Sequence, residues 1–144
     1  MNPTLRNVGA VIVGLIFGGL VNGLIIFISP NLIAPPPGAD FTTPEGLEAS
    51  AGLMEPIHFL MPFLAHAIGT FVGAVVAAKL AVTHKMRCAL IIGVAFLIGG
   101  IMAVMTIPSP VWFILADLLL AYIPMAYLGG KLALPKNKFN AQVS

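Results

Sequence analysis

Residues 57–80 read IHFLMPFLAHAIGTFVGAVVAAKL, one of the longest apolar runs in the sequence. It is apolar throughout except for two histidines, a threonine and a lysine close to its end. At about 1.5 Å per residue, a helix of this length crosses the roughly 30 Å hydrocarbon layer of a bilayer. The stretch therefore predicts a transmembrane helix with His66 at membrane depth.

Three further apolar runs surround this one, and we predict transmembrane spans at about 8–29, 57–80, 87–107 and 111–130. Hydrophobic residues make up 59% of the chain and charged residues 8%, against roughly 25% charged residues in soluble domains. This composition excludes a soluble globule. The 144 residues leave room for a single all-α membrane domain over 1–144, with four transmembrane helices and their loops.

The connection between the first two spans is long, and we predict that it is partly helical. Thr43, Pro44 and Glu45 form an N-cap followed by proline at the first helical position. This pattern predicts a short helix over about 44–54. Such a segment would lie like a lid over one end of the bundle.

Charge placement predicts the orientation in the membrane. The first connection contains four acidic residues and no Lys or Arg. The basic residues precede the first span, flank the second connection or follow the fourth span: Arg6, Lys79, Lys85, Arg87, Lys131, Lys136 and Lys138. By the positive-inside rule, both termini are cytoplasmic and the first connection lies outside. The net charge of +2 is too small and too scattered to indicate a nucleic-acid partner.

Three polar side chains interrupt the apolar spans at similar depth. Counted at 1.5 Å per residue from the outer helix ends, Asn22, His66 and Asp117 lie about 10, 13 and 9 Å deep. Because an ionisable group at this depth is costly, it usually faces a partner or a wet cavity. We expect His66 to pair with Asp117 and to titrate with it as one unit near neutrality. The alternative is a purely structural interhelical hydrogen bond, worth about 0.6 kcal/mol on average.

Further polar residues lie near the outer end of the second span. Glu55 and His58 fall within an arc of about 80° that also contains His66, which predicts a polar path from the outer mouth inward. The alternative is that they are ordinary interfacial residues at a helix start. Tyr122 and Tyr127 stand about 140° and 280° from Asp117 on a helical wheel, so we expect them to face other helices or lipid.

Metal chemistry is a less favoured alternative for these residues. His58 and His66 are about 12 Å apart along a helix axis, too far to share an ion, and the remaining pairs supply too few ligands for a closed site. We therefore predict no metal, no cofactor and no catalytic residue. A metal-dependent membrane enzyme would need ligands from a second chain.

Small residues predict where helices approach closely. Gly14 and Gly18 form one pair on the first span, and Gly69 and Gly73 lie four residues apart on the second. Such stripes let helix backbones pack against each other in lipid. They indicate packing within the chain or, alternatively, a homo-oligomer formed through these glycines.

Two classes of function follow from this pattern. The first is a small channel, carrier or sensor in which Asn22, His66 and Asp117 bind a proton, an ion or a small polar solute from outside. The second is an accessory or structural subunit of a larger membrane complex, in which the same polar residues only hold helices together. The absence of any recognisable catalytic motif disfavours an enzyme.

The chain also resembles a set of short four-span bacterial membrane proteins without an established activity. The resemblance rests on His58-Phe59, Pro62-Phe63-Leu64-Ala65-His66, Gly69-Thr70, Trp112-Phe113, Asp117-Leu118 and Ala121-Tyr122-Ile123-Pro124-Met125. It covers most of the chain and implies a multi-pass protein of the bacterial inner membrane, but it implies no functional residues. The chain does not resemble the small multidrug transporters or the four-span fluoride channels.

Overall fold

The computed structural model describes residues 2–134, and within them the chain is helical and contains no strand. Four helical segments are long and apolar enough to cross a membrane: Pro3–Leu32, Pro56–Leu80, Lys85–Thr106 and Val111–Ala133. The prediction of four spans is thereby confirmed, and the chain is a multi-pass membrane protein. Lys136 and Lys138 lie outside the described residues.

The helices follow one another with two short 3-10 turns before the second span. The elements are α1 Pro3–Leu32, α2 Pro44–Ser50, a 3-10 turn Ala51–Leu53, a second 3-10 turn Pro56–Phe59, α3 Leu60–Leu80, α4 Lys85–Thr106, α5 Val111–Leu120 and α6 Ile123–Ala133. Helix α1 begins well before the predicted span. Its first turn is stabilised because the Asn2 side chain accepts a hydrogen bond from the amide of Thr4 at 2.9 Å.

Four glycines bring α1 and α3 into direct backbone contact. A Cβ atom placed on Gly14 would lie 2.7 Å from the carbonyl oxygen of Gly73, and one on Gly18 would lie 2.7 Å from that of Gly69. Because the earlier glycine faces the later one, the two helices are antiparallel. The predicted stripe of small residues is therefore occupied by packing within one chain. A homo-oligomer through these glycines would have to displace this contact, and oligomerisation itself stays a prediction.

One end of the helix bundle carries the basic residues, and the protein is tightly packed there. The side-chain oxygen of Asn7 accepts a hydrogen bond from the amide of Val82 at 3.0 Å, which joins the start of α1 to the turn before α4. We call this the basic end, and the opposite end, where the acidic first connection lies, the acidic end. A cluster of small side chains from α3, α4 and α6 fills the adjoining half of the bundle: Ala74, Ala77, Ala78, Ala89 and Ala126, all fully buried, with Ile92 among them.

The fourth span is not one continuous helix. Helix α5 ends at Leu120 and α6 starts at Ile123, with Tyr122 between them at φ −113° and ψ −81°. Pro124 lies in the first turn of α6 and lacks the amide hydrogen that would continue the α5 hydrogen-bond pattern. Pro62, by contrast, does not interrupt its span, because it lies in the first turn of α3, where amides have no helical partner.

Candidate functional site

A cavity of about 510 Å³ occupies the acidic half of the bundle. Helices α1 and α4 touch near Gly18 and Phe96, where a Cβ on the glycine would lie 3.0 Å from the phenylalanine ring. Farther toward the acidic end, Ile26 of α1 and Val104 of α4 instead line the cavity. The space between these helices is therefore open only beyond the Gly18–Phe96 contact.

Part of the long first connection forms one wall of this cavity. We call this wall the roof, and it consists of Phe41, Leu47, Ala51 and Met54. These apolar side chains face the cavity together with Phe59 and Phe113 of the transmembrane segments. The cavity is consequently apolar over most of its surface.

The polar end of the cavity is a hydrogen-bonded cluster of three side chains. Nδ1 of His66 lies 2.9 Å from Oδ1 and 3.0 Å from Oδ2 of Asp117. The hydroxyl of Tyr122 donates to Oδ2 of Asp117 at 2.8 Å and lies 3.0 Å from Nδ1 of His66. The Asp117 side chain is only 3% exposed and that of His66 is 23% exposed. The structure thus brings together the two residues that the sequence paired, and both border the cavity.

The hydrogen bonds determine what the histidine can present to a ligand. Within residues 2–134, Nε2 of His66 has no hydrogen-bond partner, and its ring borders the cavity. When the His66–Asp117 pair holds one proton on Nδ1, Nε2 is an acceptor and the pair carries one negative charge. When the pair holds two protons, Nε2 is a donor and the pair is neutral. The state of Nε2 therefore reports the net charge of the site.

Among residues 2–134, Asn22 does not line the cavity and forms no hydrogen bond with this cluster. Asn22 packs against Gly69, where a Cβ on the glycine would lie 2.9 Å from the Asn22 Cβ. Its Oδ1 atom is buried and has no hydrogen-bond partner among residues 2–134. Asn22 lies on α1 and Asp117 on α5, and a shared depth in the membrane stays a prediction. A binding role for Asn22 stays a prediction.

Glu55 and His58 are joined to each other at the start of the second span. The backbone amide of Glu55 donates to Nδ1 of His58 at 2.9 Å, and the two residues form a reciprocal capping box. His58 also borders the cavity, whereas Glu55 is exposed. The capping contact is a structural role that does not by itself require a ligand. A polar path from these residues to His66 stays a prediction.

A compact hydrogen-bond network stabilises the segment 40–54, which carries the four roof residues; from here on, the roof means this segment. Ser50 is 2% exposed, and its Oγ accepts a hydrogen bond from the amide of Asp40 at 2.8 Å. The pKa of Asp40 is lowered from its ordinary value, first because the Thr42 hydroxyl donates to its carboxylate and also because the Thr42 amide does. The hydroxyl of Thr43 caps α2 by accepting from the amide of Gly46 at 3.0 Å. The roof is thus a folded unit.

Tyr122 packs against other helices, as predicted, through His66 of α3 and Gly100 of α4, but its contact with Asp117 was not predicted. A helical wheel carried through residue 122 assumes an unbroken helix, but the helix is interrupted there, and the hydroxyl turns toward Asp117. Pro124 was the available signal, because a proline disfavours helix in the residue before it and removes a backbone donor. Tyr122 is 1% exposed and belongs to the site.

Metal ligation has little support from the geometry. Over residues 2–134, no three His, Cys, Asp or Glu side chains are close enough together to hold an ion. His66 Nε2 and the Asp117 carboxylate remain the groups that could contact a bound species from the cavity.

These features define the chain as a multi-pass membrane protein with a largely apolar cavity that ends at a buried histidine–aspartate–tyrosine cluster. Comparison with protein-family models, with curated proteins and with solved structures found no match.

Proposed function

We propose that this protein is a small carrier or sensor that binds a proton and a small solute in a cavity open toward the outside of the cell. The observation that carries the proposal is the position of the His66–Asp117 pair at the polar end of the cavity. A histidine–carboxylate pair that only joined helices would not need to border a cavity, whereas both His66 and Asp117 line this one. A largely apolar cavity with a few convergent polar groups is the usual form of a binding site.

The orientation and the membrane are part of the proposal. The basic end carries Arg6, Lys79, Lys85 and Arg87, and the acidic end carries the first connection. The positive-inside rule then supports cytoplasmic termini and an outward-facing cavity. A bacterial inner membrane is the setting that the sequence resemblance supports.

The packing beyond the site favours a carrier or sensor over a channel. Toward the basic end, the bundle is filled by fully buried side chains that include Ala74, Ala78 and Ile92. Among residues 2–134, this cluster of buried side chains contains no polar group that could conduct a proton or an ion. A single chain in this conformation therefore has a blind cavity.

Cysteine labelling from each side of the membrane tests this proposal. In a Cys88→Ala background, Val104→Cys places a thiol on the cavity wall and Ile92→Cys places one in the packed half. A membrane-impermeant thiosulfonate should label Val104→Cys from outside only and should label Ile92→Cys from neither side. Labelling of Ile92→Cys from both sides would indicate a pore, and no outside labelling of Val104→Cys would contradict an outward-facing cavity.

An accessory subunit of a larger complex remains the second candidate. Much of α1 is exposed, and a Cβ atom placed on its Gly19 or Gly23 would meet nothing within 4 Å. Another membrane helix could approach closely there. Two results together would favour an accessory subunit. A partner protein would co-purify with the wild type but not with Gly19→Leu, and Val104→Cys would not be labelled from outside.

A further inference from the structure

This inference rests on the function proposed above. If the cavity binds a solute, the residues that line it determine which class of solute fits. The walls are mostly apolar and include the aromatic rings of Phe41, Phe59 and Phe113. Ser29 and His58 also border the cavity, but Gly18 of α1 faces Gly69 of α3, so Ser29 lies near the level of His58, about 12 Å from that of His66. A ligand whose head reaches His66 is therefore surrounded mainly by hydrocarbon along its body.

The charge of the polar end restricts the head group. With one proton on the His66–Asp117 pair, the site carries one negative charge and Nε2 accepts a hydrogen bond. A cation with an N–H donor would neutralise this charge and satisfy Nε2. An anion would add a second negative charge in an apolar cavity, which is strongly unfavourable. The site therefore has capacity for one positive charge, supplied either by a second proton or by a cationic ligand.

No other charged group described in residues 2–134 competes at this site. Tyr122 donates to Asp117 at 2.8 Å, and the titratable residues of α6, Tyr127 and Lys131, follow it by about one and a half and two and a half helical turns. The charged residues of α1 and α4 lie at the basic end, beyond the packed half. His58 lies on the same segment as His66, about 12 Å away.

The negative charge of the first connection also favours a cationic ligand. The first connection and the start of the second span contain Asp40, Glu45, Glu48 and Glu55, and there is no Lys or Arg between residues 7 and 78. A surface of one sign raises the local concentration of oppositely charged solutes. Aromatic side chains in a desolvated cavity also attract cations.

We propose that the cavity binds a lipophilic ammonium ion through His66 Nε2, and that this cation and the second proton of the His66–Asp117 pair exclude each other. The exchange is balanced in charge and in atoms. The proton on Nε2 leaves to solvent, and the ligand N–H then donates to the vacated lone pair. Binding of one cation therefore releases up to one proton, and its affinity rises with pH while the pair is losing that proton.

Titration calorimetry with three matched probes tests this inference. The probes are 4-phenylbutylammonium, 4-phenylbutanol and 4-phenylbutanoate, which share one apolar body. The full chain is placed in phosphatidylcholine nanodiscs, and empty nanodiscs give the correction for partition into lipid. Measurements at several pH values between 5.5 and 7.5, each in two buffers of different ionisation enthalpy, yield both the affinity and the number of protons released.

The ammonium probe should bind most tightly, release up to one proton and gain up to about tenfold in affinity per pH unit. Asp117→Asn should weaken its binding by about tenfold or more while leaving that of 4-phenylbutanol similar, which also shows that the variant is folded. Gly99→Ala, where an added Cβ meets nothing within 4 Å, is the matched control and should keep the preference for the ammonium probe.

Other outcomes overturn the inference in distinguishable ways. Equal binding of the ammonium and alcohol probes, or tighter binding of the carboxylate, would overturn the cation class while leaving a solute-binding cavity intact. Ammonium binding without proton release would overturn the exchange. Binding of none of the probes would overturn the ligand class, whereas the proposed function is judged separately by the labelling of Val104→Cys and Ile92→Cys.

Discussion

The hydroxyl of Tyr122 lies 2.8 Å from Oδ2 of Asp117, although a helix break separates the two residues. The contact gives the buried carboxylate a second donor beside His66 and holds it in one orientation. A carboxylate in apolar surroundings is stable only when its oxygens are satisfied in this way. The break in the fourth span is thus what completes the site.

Gly100 tests how tightly Tyr122 is held. A Cβ on Gly100 would collide with the hydroxyl and ring of Tyr122, whereas one on the neighbouring Gly99 would meet nothing within 4 Å. Gly100→Ala should therefore lower the free energy of unfolding by about 1–3 kcal/mol. Gly99→Ala is the matched control and should be neutral or stabilising by up to about 1 kcal/mol. Denaturant titration in mixed micelles measures both, and equal effects would contradict the described position of Tyr122.

The hydrogen bond from Tyr122 to Asp117 should be measurable as a coupling energy. Tyr122→Phe removes the donor with little change in shape, and we expect a loss of about 0.6–1.7 kcal/mol in the free energy of unfolding. Asp117→Asn and the double variant complete the thermodynamic cycle. Effects that simply add would show that the two side chains do not interact.

The hydrogen bond of Ser50 should keep the roof folded. Its Oγ accepts from the amide of Asp40 and is almost fully buried, so Ser50→Ala removes this hydrogen bond at a cost of about 0.5–1.5 kcal/mol. We expect faster hydrogen exchange over residues 40–53, with unchanged exchange in α4 as the internal reference. Unchanged exchange in the roof would mean that this hydrogen bond does not hold it closed.

The carboxylate of Asp40 should make the roof sensitive to acid. Its pKa is lowered, first by the Thr42 hydroxyl, so its stabilising contribution is present above the unfolded pKa of about 3.9 and is lost as pH falls through the lower folded pKa. The amide signal of Thr42 should therefore stay constant between about pH 5 and 7 and change only below about pH 4. Asp40→Asn should remove this transition, and a midpoint above about pH 4.5 would contradict the network.

The sequence predicted the elements whose signal is local. Long apolar runs decide the four spans, and the Thr43-Pro44 pattern predicted a helix start at the place where α2 begins. The contact of His66 with Asp117 also followed from a physical demand, because a buried carboxylate needs a donor at its own depth. Each of these inferences depended on residue type and on distance along one helix.

The remaining features depend on how helices are arranged around each other. Asn22 packs against Gly69, because the glycine contacts fix the rotation of α1 against α3. The cavity exists because α1 and α4 both border an open space beyond Phe96, which no single segment of sequence encodes. The contact between Ser50 and Asp40 likewise requires the folded connection.

The central claim is that the His66–Asp117 pair binds a proton that the cavity can reach. Nitrogen-15 NMR of His66 across about pH 5 to 8 tests it most directly, in the wild type and in Asp117→Asn. In the wild type a ring with a single proton should carry it on Nδ1, which faces Asp117, and Asp117→Asn should weaken this preference for Nδ1. The same tautomer preference in the two proteins, or a neutral wild-type ring that keeps its proton on Nε2, would contradict the account.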